Sequence, residues 1–331
     1  YGCKRVDAAV RKQMESGVLF SMASPIEAEA AEAVLGILGW PDLIRFMKTG
    51  ADATSCCLRL ARSHTRRDHL LTVGYHGYQD WYALEWPNPG IPEVLRDYVH
   101  EVPYGDIAAA DRVFDTYGKE LAAAVVVPLE WHLEPSGEFL AHLRKRSTEV
   151  GCALVFDEIL TGFRMAPGGA AAYFGVEPDM AAYAKAMANG YPVSAYAGKR
   201  EWMETLNQTI ITTTYAGETL SLAAALEVMS IIRDQPVHEH IFRLGARMRS
   251  GIREVLAEAG VPARVVGVDP GVVSDWSPLG EAGGALHQRF FNALYDRGIF
   301  ANEQWFITYA HREADIDQTL ESMRDALAAV L

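Results

Sequence analysis

The chain has 331 residues, 50% hydrophobic and 22% charged, the composition of an ordinary globular protein with room for one large domain and a smaller one. A formal net charge of −13 argues against nucleic acid or an anionic membrane as the main partner. Four cysteines, two adjacent and none in a C-x-x-C pair, argue against a disulfide framework or a zinc site. No apolar run reaches membrane-spanning length and Tyr1 does not open a signal peptide, so a cytosolic enzyme is expected.

Pro25 to Leu38 carries Ile26, Ala30, Ala33, Val34 and Ile37 on one helical face, with Ser24 as N-cap and Gly39 and Pro41 as the stop. Leu43 to Met47 reads as a short strand. It leads through Lys48, Thr49, Gly50, Ala51 and Asp52 into a helix with Ala53, Cys57, Leu60 and Ala61 spaced for burial. A small turn that opens a helix exposes N–H groups at the positive end of the helix dipole, a place for phosphate, although most such turns are plain caps. Leu70 to Val73 is a strand ending in Gly74-Tyr75-His76-Gly77-Tyr78. An amphipathic helix over 105–118, a buried strand over 122–127 and a helix capped by Ser136 follow.

Cys152 to Phe156 is a short apolar run with the look of a buried parallel strand, delivering Asp157 and Glu158 at its C-terminal end. Met180 to Ala184 delivers Lys185 in the same way, before Asn189-Gly190. Val193 to Gly198 is another strand, and the hydroxyl-rich turn from Thr212 to Glu218 opens a helix over 221–233. Arg264 to Val268 begins a Gly- and Pro-rich segment. Helices over 285–297 and 315–331 flank short strands expected at Ile299-Phe300 and Phe306 to Tyr309. The repeated strand–helix order predicts an α/β fold with a mostly parallel, doubly wound sheet.

Open α/β sheets bind ligands beyond the C-terminal ends of their strands. A desolvated Lys there is a Schiff-base former, and an acid there can face a ring nitrogen. Pyridoxal 5'-phosphate (PLP) needs both. Taken singly, Lys185 reads as a surface amine and Asp157 as a strand-end acid. The wording around them decides more. F-D-E-I-L-T-G-F-R, then G-G-A-A-A-Y-F-G-V-E-P-D, then A-K-A-M-A-N-G-Y-P resembles the class III, fold type I, PLP-dependent aminotransferases. The nearest branch is similar to glutamate-1-semialdehyde aminotransferase and its relatives in sugar and natural-product pathways.

The resemblance implies a fold type I large domain over 23–235 and a small α+β domain built from the chain ends, 1–22 and 236–331. It also implies residues upstream of Tyr1, and it marks 85–90 as a junction where a loop is absent. Lys185 is then the Schiff-base lysine and general base, Asp157 the partner of the ring nitrogen, and Ile159 and Tyr75 the residues on the two ring faces. Thr49, Gly50 and Ala51 stand where the family carries S-G-T-E-A to hold the cofactor phosphate, with the Thr hydroxyl lost at Ala51. Thr214 matches the Thr of the family's G-T-x-S-G-N-P, which reaches the neighbouring subunit's phosphate in a homodimer with shared sites. His76 is expected to support the cofactor site rather than to react.

Three departures bear on the substrate. The strand ending V-E-P in the family reads V-V-V-P here, with Val127 at the acid's place and Glu130 three residues on. N-G-Y-P follows Lys185 where the aminomutase type has Gly-Gly-Leu-Pro. Ile307 to His311 stands where many class III enzymes place a carboxylate-binding Arg. Glu130, Trp131 and Arg164 are therefore candidate substrate residues, and Trp81, Tyr82, Trp86 and Trp131 candidate pocket aromatics. The expected activity is ping-pong transfer between a small-molecule amino donor and a carbonyl acceptor. A 2,1-aminomutase of the glutamate-1-semialdehyde type ranks second and a non-catalytic relative third.

Overall fold

The computed structural model describes residues 2–82 and 90–331. Trp86 and the expected junction at 85–89 lie outside the described residues. By its contacts the chain divides into two units, Tyr1–Pro128 with Ser136–Gln235, and Leu129–Pro135 with Pro236–Leu331.

The first unit runs α1 (Lys4–Met14), α2 (Pro25–Leu38), β1 (Leu43–Met47), α3 (Gly50–Thr65), β2 (His69–Val73), β3 (Val99–Glu101), α4 (Ile107–Tyr117), β4 (Leu121–Val126), α5 (Gly137–Val150), β5 (Ala153–Asp157), α6 (Gly169–Phe174), β6 (Met180–Tyr183), β7 (Ser194–Gly198), α7 (Arg200–Met203) and α8 (Thr219–Asp234). Its seven strands form one sheet in the order β1-β7-β6-β5-β4-β2-β3. All neighbours from β6 to β3 pair in parallel, whereas β7 runs antiparallel to both β6 and β1. It follows that β1 runs in the same direction as β2, β3, β4, β5 and β6, so six strands end on one edge.

The strands read as continuous apolar runs because both sheet faces are covered. Leu154 and Phe156 enter a core formed with α1, α2, α4, α5 and α8, while Ala153 and Val155 enter the core under α3. This is the period-two alternation of a strand buried on both sides. Ser136 accepts from the Phe139 N–H at the start of α5. Ser24 occupies the N-cap position of α2 without a side-chain cap bond, and Pro25 at the first helical position has no N–H to offer.

At the edge where β2, β4 and β5 begin, Arg67 Nη1 lies 3.4, 3.2, 2.9 and 3.2 Å from the carbonyls of Gly118, Leu121, Val150 and Gly151. Residues 2–22, expected with the small domain, belong to the first unit instead: Val6 and Val10 of α1 are buried and the helix lies on α8. The apolar spacing of Val6 and Val10, one helical turn apart, gives α1 a stripe that α8 covers.

The second unit contains α9 (Val237–Glu258), β8 (Arg264–Val268), β9 (Gly271–Asp275), α10 (Gly280–Asp296), β10 (Gln304–Phe306) and α11 (Glu313–Val330). Its sheet is antiparallel in the order β10-β9-β8, and the three helices share a core with it. No strand forms at Ile299-Phe300. The Ile299 N–H closes the end of α10 on the Leu294 carbonyl at 3.0 Å, and Phe300 is 90% exposed. The later strand ends at Phe306, and the Ile307 N–H bonds to the Pro270 carbonyl.

Candidate active site

The shared edge of β1, β2, β5 and β6 gathers the residues singled out in the sequence. Asp157 closes β5 and is buried. Its Oδ2 is 2.9 Å from His76 Nδ1, which arrives from the loop after β2, and its Oδ1 accepts from the Ile159 N–H at 3.2 Å. His76 is also buried, between Trp81 at 5.9 Å and Tyr82 at 5.1 Å between ring centroids. Its Nε2 has no hydrogen-bond partner among the described residues.

Lys185 follows β6 by two residues, with φ at +37°. A residue with a Cβ is strained in that region, and such strain concentrates at functional sites. The side chain keeps access to solvent. The protein around it still desolvates the amine enough to lower its pKa, and the negative charge of Asp157 opposes that shift. The fixed acid and the strained amine therefore act on each other across the edge.

The turn after β1 completes the group. Thr49 and Asp52 form a reciprocal capping box at the start of α3, so the Thr49 hydroxyl and N–H are both engaged. Gly50 and Ala51, the next two residues, carry the forward-facing N–H groups of a helix N-terminus. Gly50 is required by close approach, because a Cβ there would lie 2.5 Å from Ile159 Cδ1. Ala51 Cβ faces Gly77 in the Tyr75–Gly77 loop at 3.0 Å from where a Cβ would stand. The turn thus touches both segments that hold Asp157. Tyr75 is 59% exposed and meets Tyr82 edge-on at 5.9 Å. Thr214 lies in an exposed turn before α8.

Glu158 turns away from this edge into the protein. Fully buried, it accepts from Thr161 Oγ1 at 2.6 Å and from the Ala170 and Ala171 N–H groups at 2.8 and 2.9 Å. Burial pushes its carboxyl up to about 7, with those three bonds opposing and Asp157 adding to the rise. Gly169, at φ +70°, is the only residue type that fits its place, since any Cβ would meet the Glu158 carboxylate.

Of the tentative substrate residues, Trp131 is buried in the second unit, where its ring packs on Gly271 and meets Phe306 at 5.0 Å. Its surface is spent on packing. Glu130 lies beside it and is half-buried, its carbonyl accepting from the Leu133 N–H. Arg164 is half-buried in the first unit, in the loop that Glu158 ties down. Trp81 is half-buried, with its indole N–H donated to Ser55 Oγ at 2.8 Å. Sequence reasoning passed over Lys48, Ser194 and Glu218. Ser194 Oγ donates to the Thr49 carbonyl at 2.6 Å, and Lys48 pairs with Glu218 at 3.0 Å. Opposite charges flanking the two turns, at Lys48 and Glu218, were the signal available.

Residues 1–327 match the family described as Aminotransferase class-III. The chain belongs to the class III aminotransferases. It is 32% identical to the glutamate-1-semialdehyde 2,1-aminomutase of Aquifex aeolicus, over 98% of this chain and 84% of that protein. With an enzyme of that name from Thermus thermophilus it shares 34% identity, over 98% and 83%. Among solved structures, the PLP internal aldimine form of the FumI protein of Sphingopyxis sp. MTA144 is 28% identical with a TM-score of 0.92, over 100% and 81%. An omega-transaminase from Sphaerobacter thermophilus is 25% identical with a TM-score of 0.93, over 99% and 83%. The fold is therefore that of the fold type I transaminases, and the class III cofactor is PLP. Among the described residues, no helix is long and apolar enough to cross a membrane.

Proposed function

We propose that this class III chain is an aminotransferase that takes an amino group from a small-molecule donor and passes it to a separate keto or aldehyde acceptor by a ping-pong sequence. The observation that carries the reading is the buried, doubly bonded Asp157 acting across the strand edge on the strained amine of Lys185. The residues present fit PLP. The Gly50 and Ala51 N–H groups suit a phosphate, Asp157 a ring nitrogen and Lys185 an aldehyde. When bound, PLP supplies the aldehyde and an electron-withdrawing ring that stabilises charge at the substrate Cα.

Lys185 Nζ would hold the aldehyde of PLP and, when free, would serve as the base that takes the proton from the donor Cα and moves it to the cofactor. Its lowered pKa favours the free base that this requires. Asp157 holds a negative charge in one place for the ring nitrogen, with His76 Nδ1 and the Ile159 N–H fixing its two oxygens. Ile159 and Tyr75 would cover the two faces of the ring. Thr49, through the capping box, sets the direction of the Gly50 and Ala51 N–H groups, and Thr214 serves the phosphate of a partner copy in a homodimer. Glu130 and Arg164 remain the substrate-side polar residues, with Trp131 packed beside Glu130. Four unpaired cysteines agree with a cytoplasmic, reducing location. Val127, in place of the family's acid, points to a changed substrate environment, and the resemblance to relatives in sugar and natural-product pathways is what suggests an acceptor of that kind.

The test is reconstitution of the purified protein with PLP. A visible absorption band that Lys185→Ala lacks, bleached by an amino donor and restored by a keto acceptor, is the expected result. No visible band in the wild type would overturn the reading. The second reading is an intramolecular aminomutase, favoured by the names of the curated relatives at 32% and 34% identity. Transfer of labelled nitrogen from one molecule to a different one supports the transaminase, and retention within one carbon skeleton supports the aminomutase. For the shared site, co-expression of Lys185→Ala with Thr214→Glu should restore part of the activity, because one of the two sites in a mixed dimer carries neither lesion.

A further inference from the structure

The two turns assigned to phosphate are joined within one chain by a single ion pair. Lys48 Nζ lies 3.0 Å from Glu218 Oε2, with the side chains only 17% and 15% exposed. Lys48 immediately precedes Thr49, the N-cap of α3. Glu218 immediately follows the Thr214–Gly217 turn, and its own N–H bonds back to the Tyr215 carbonyl at 3.2 Å. The carboxylate is also the N-cap of α8, accepting from the Leu220 N–H at 2.6 Å, the Ser221 N–H at 3.2 Å and Ser221 Oγ at 2.5 Å. Burial raises its pKa, but the bonds from Ser221, Lys48 and Leu220 outweigh that and hold the carboxyl below its ordinary range. Glu218 stands where the family pattern G-T-x-S-G-N-P has a neutral Asn. The phosphate turn of this chain has also lost a hydroxyl at Ala51. Both departures fall on the segments that the ion pair connects.

We propose that the Lys48–Glu218 ion pair is a positioning link of the cofactor site, fixing the Gly50–Ala51 N–H groups to the Thr214–Gly217 turn and so setting how tightly the phosphate of PLP is held. Neither side chain needs to touch the phosphate. A largely buried pair whose carboxylate is also held by a helix cap restrains the backbone at both ends more than an exposed pair does. In a dimer where Thr214 serves the partner copy, the same link joins the turn of one site to the turn of the other. The inference rests on the reading of Thr49–Ala51 as the phosphate turn.

The experiment measures retention of PLP and of pyridoxal, which lacks the phosphate, by equilibrium dialysis. It uses the wild type, Lys48→Met, Glu218→Gln, the double variant and Lys48→Arg. Glu218→Gln keeps an oxygen to cap α8, and Lys48→Arg keeps the charge. Lys48→Met and Glu218→Gln should each lower the preference for PLP over pyridoxal about tenfold. The double variant should lose no more than either single one, and Lys48→Arg should retain most of the preference. A purely structural pair would weaken both ligands alike and leave the preference unchanged, which would overturn the link. Equal affinity of the wild type for PLP and pyridoxal would overturn the phosphate turn itself, and the link with it. Additive losses in the double variant would overturn the link as well, by showing that the two residues act separately.

Discussion

The ends of β5 and β6 deliver their functional groups to one edge by opposite means. At the end of β5, Asp157 is buried, both oxygens are bonded, and its neighbour Glu158 pins the following loop through three donors. At the end of β6, Lys185 sits in a left-handed backbone conformation with solvent access. One group is held still and the other is held in tension. An acid that stabilises charge works best when it need not reorganise, whereas an amine that must bind, leave and return needs freedom at its tip. The difference between the two strand ends is the difference between a fixed charge and a moving base.

The comparison can be broken first at the moving end. Lys185→Ala should lower turnover by about 10⁴-fold or more, while PLP still binds through its phosphate and protects the protein in thermal melts. Turnover above a trace would mean that another amine does the work. At the fixed end, Asp157→Asn keeps the shape and removes the charge. A loss of about 10²–10³-fold in the proton-transfer half-reaction is expected, read by stopped-flow absorbance. A near wild-type rate would point to a different partner for the ring.

A third measurement asks what keeps the fixed end fixed. Glu158 has its carboxyl raised from 4.5 to about 7 by burial, the bonds from Thr161, Ala170 and Ala171 opposing. A raised acid binds more protons folded than unfolded, so its contribution is fully present below the unfolded value and is lost as pH rises through the folded one. Denaturant titrations should show the wild type losing up to about 3 kcal/mol relative to Glu158→Gln between pH 4.5 and 7. A flat difference across that window would show that Glu158 does not titrate there. The smallest effect is expected at His76. His76→Phe removes one hydrogen bond to a charged oxygen, about 1.5 kcal/mol or roughly tenfold in rate. An unchanged rate would leave the Ile159 N–H as the only hold on Asp157 that matters.

Much of this edge was legible in the sequence because it is local. Strand-end residues follow apolar runs, so the places of Asp157, Lys185 and the turn at Thr49–Ala51 could be read locally, while their roles came from the resemblance carried by the residues around them. Helix limits at Pro25–Leu38 and the cap at Ser136 were likewise set by neighbouring residues. What escaped depends on distant pairing. The Lys48–Glu218 pair spans 170 positions, and His76 reaches Asp157 across 81. Trp131 read as a pocket aromatic because its partners, Gly271 and Phe306, are far along the chain. The strand expected at Ile299-Phe300 failed for a related reason. Two apolar residues look like a strand until the helix before them closes on Ile299.

Arg67 gives the first unit a polarity that no single site reveals. Its guanidinium reaches the carbonyls at the ends of α4 and α5, on the edge where β2, β4 and β5 begin. At the opposite edge, α3 begins and its N–H groups point outward. Helices that alternate with parallel strands all start at one edge and finish at the other, so their dipoles add along the strand direction. One edge draws anions and the other draws cations, and Arg67 is the cation already resident. An anionic cofactor approaching this unit therefore meets a gradient that runs along the strands and favours the edge where α3 begins.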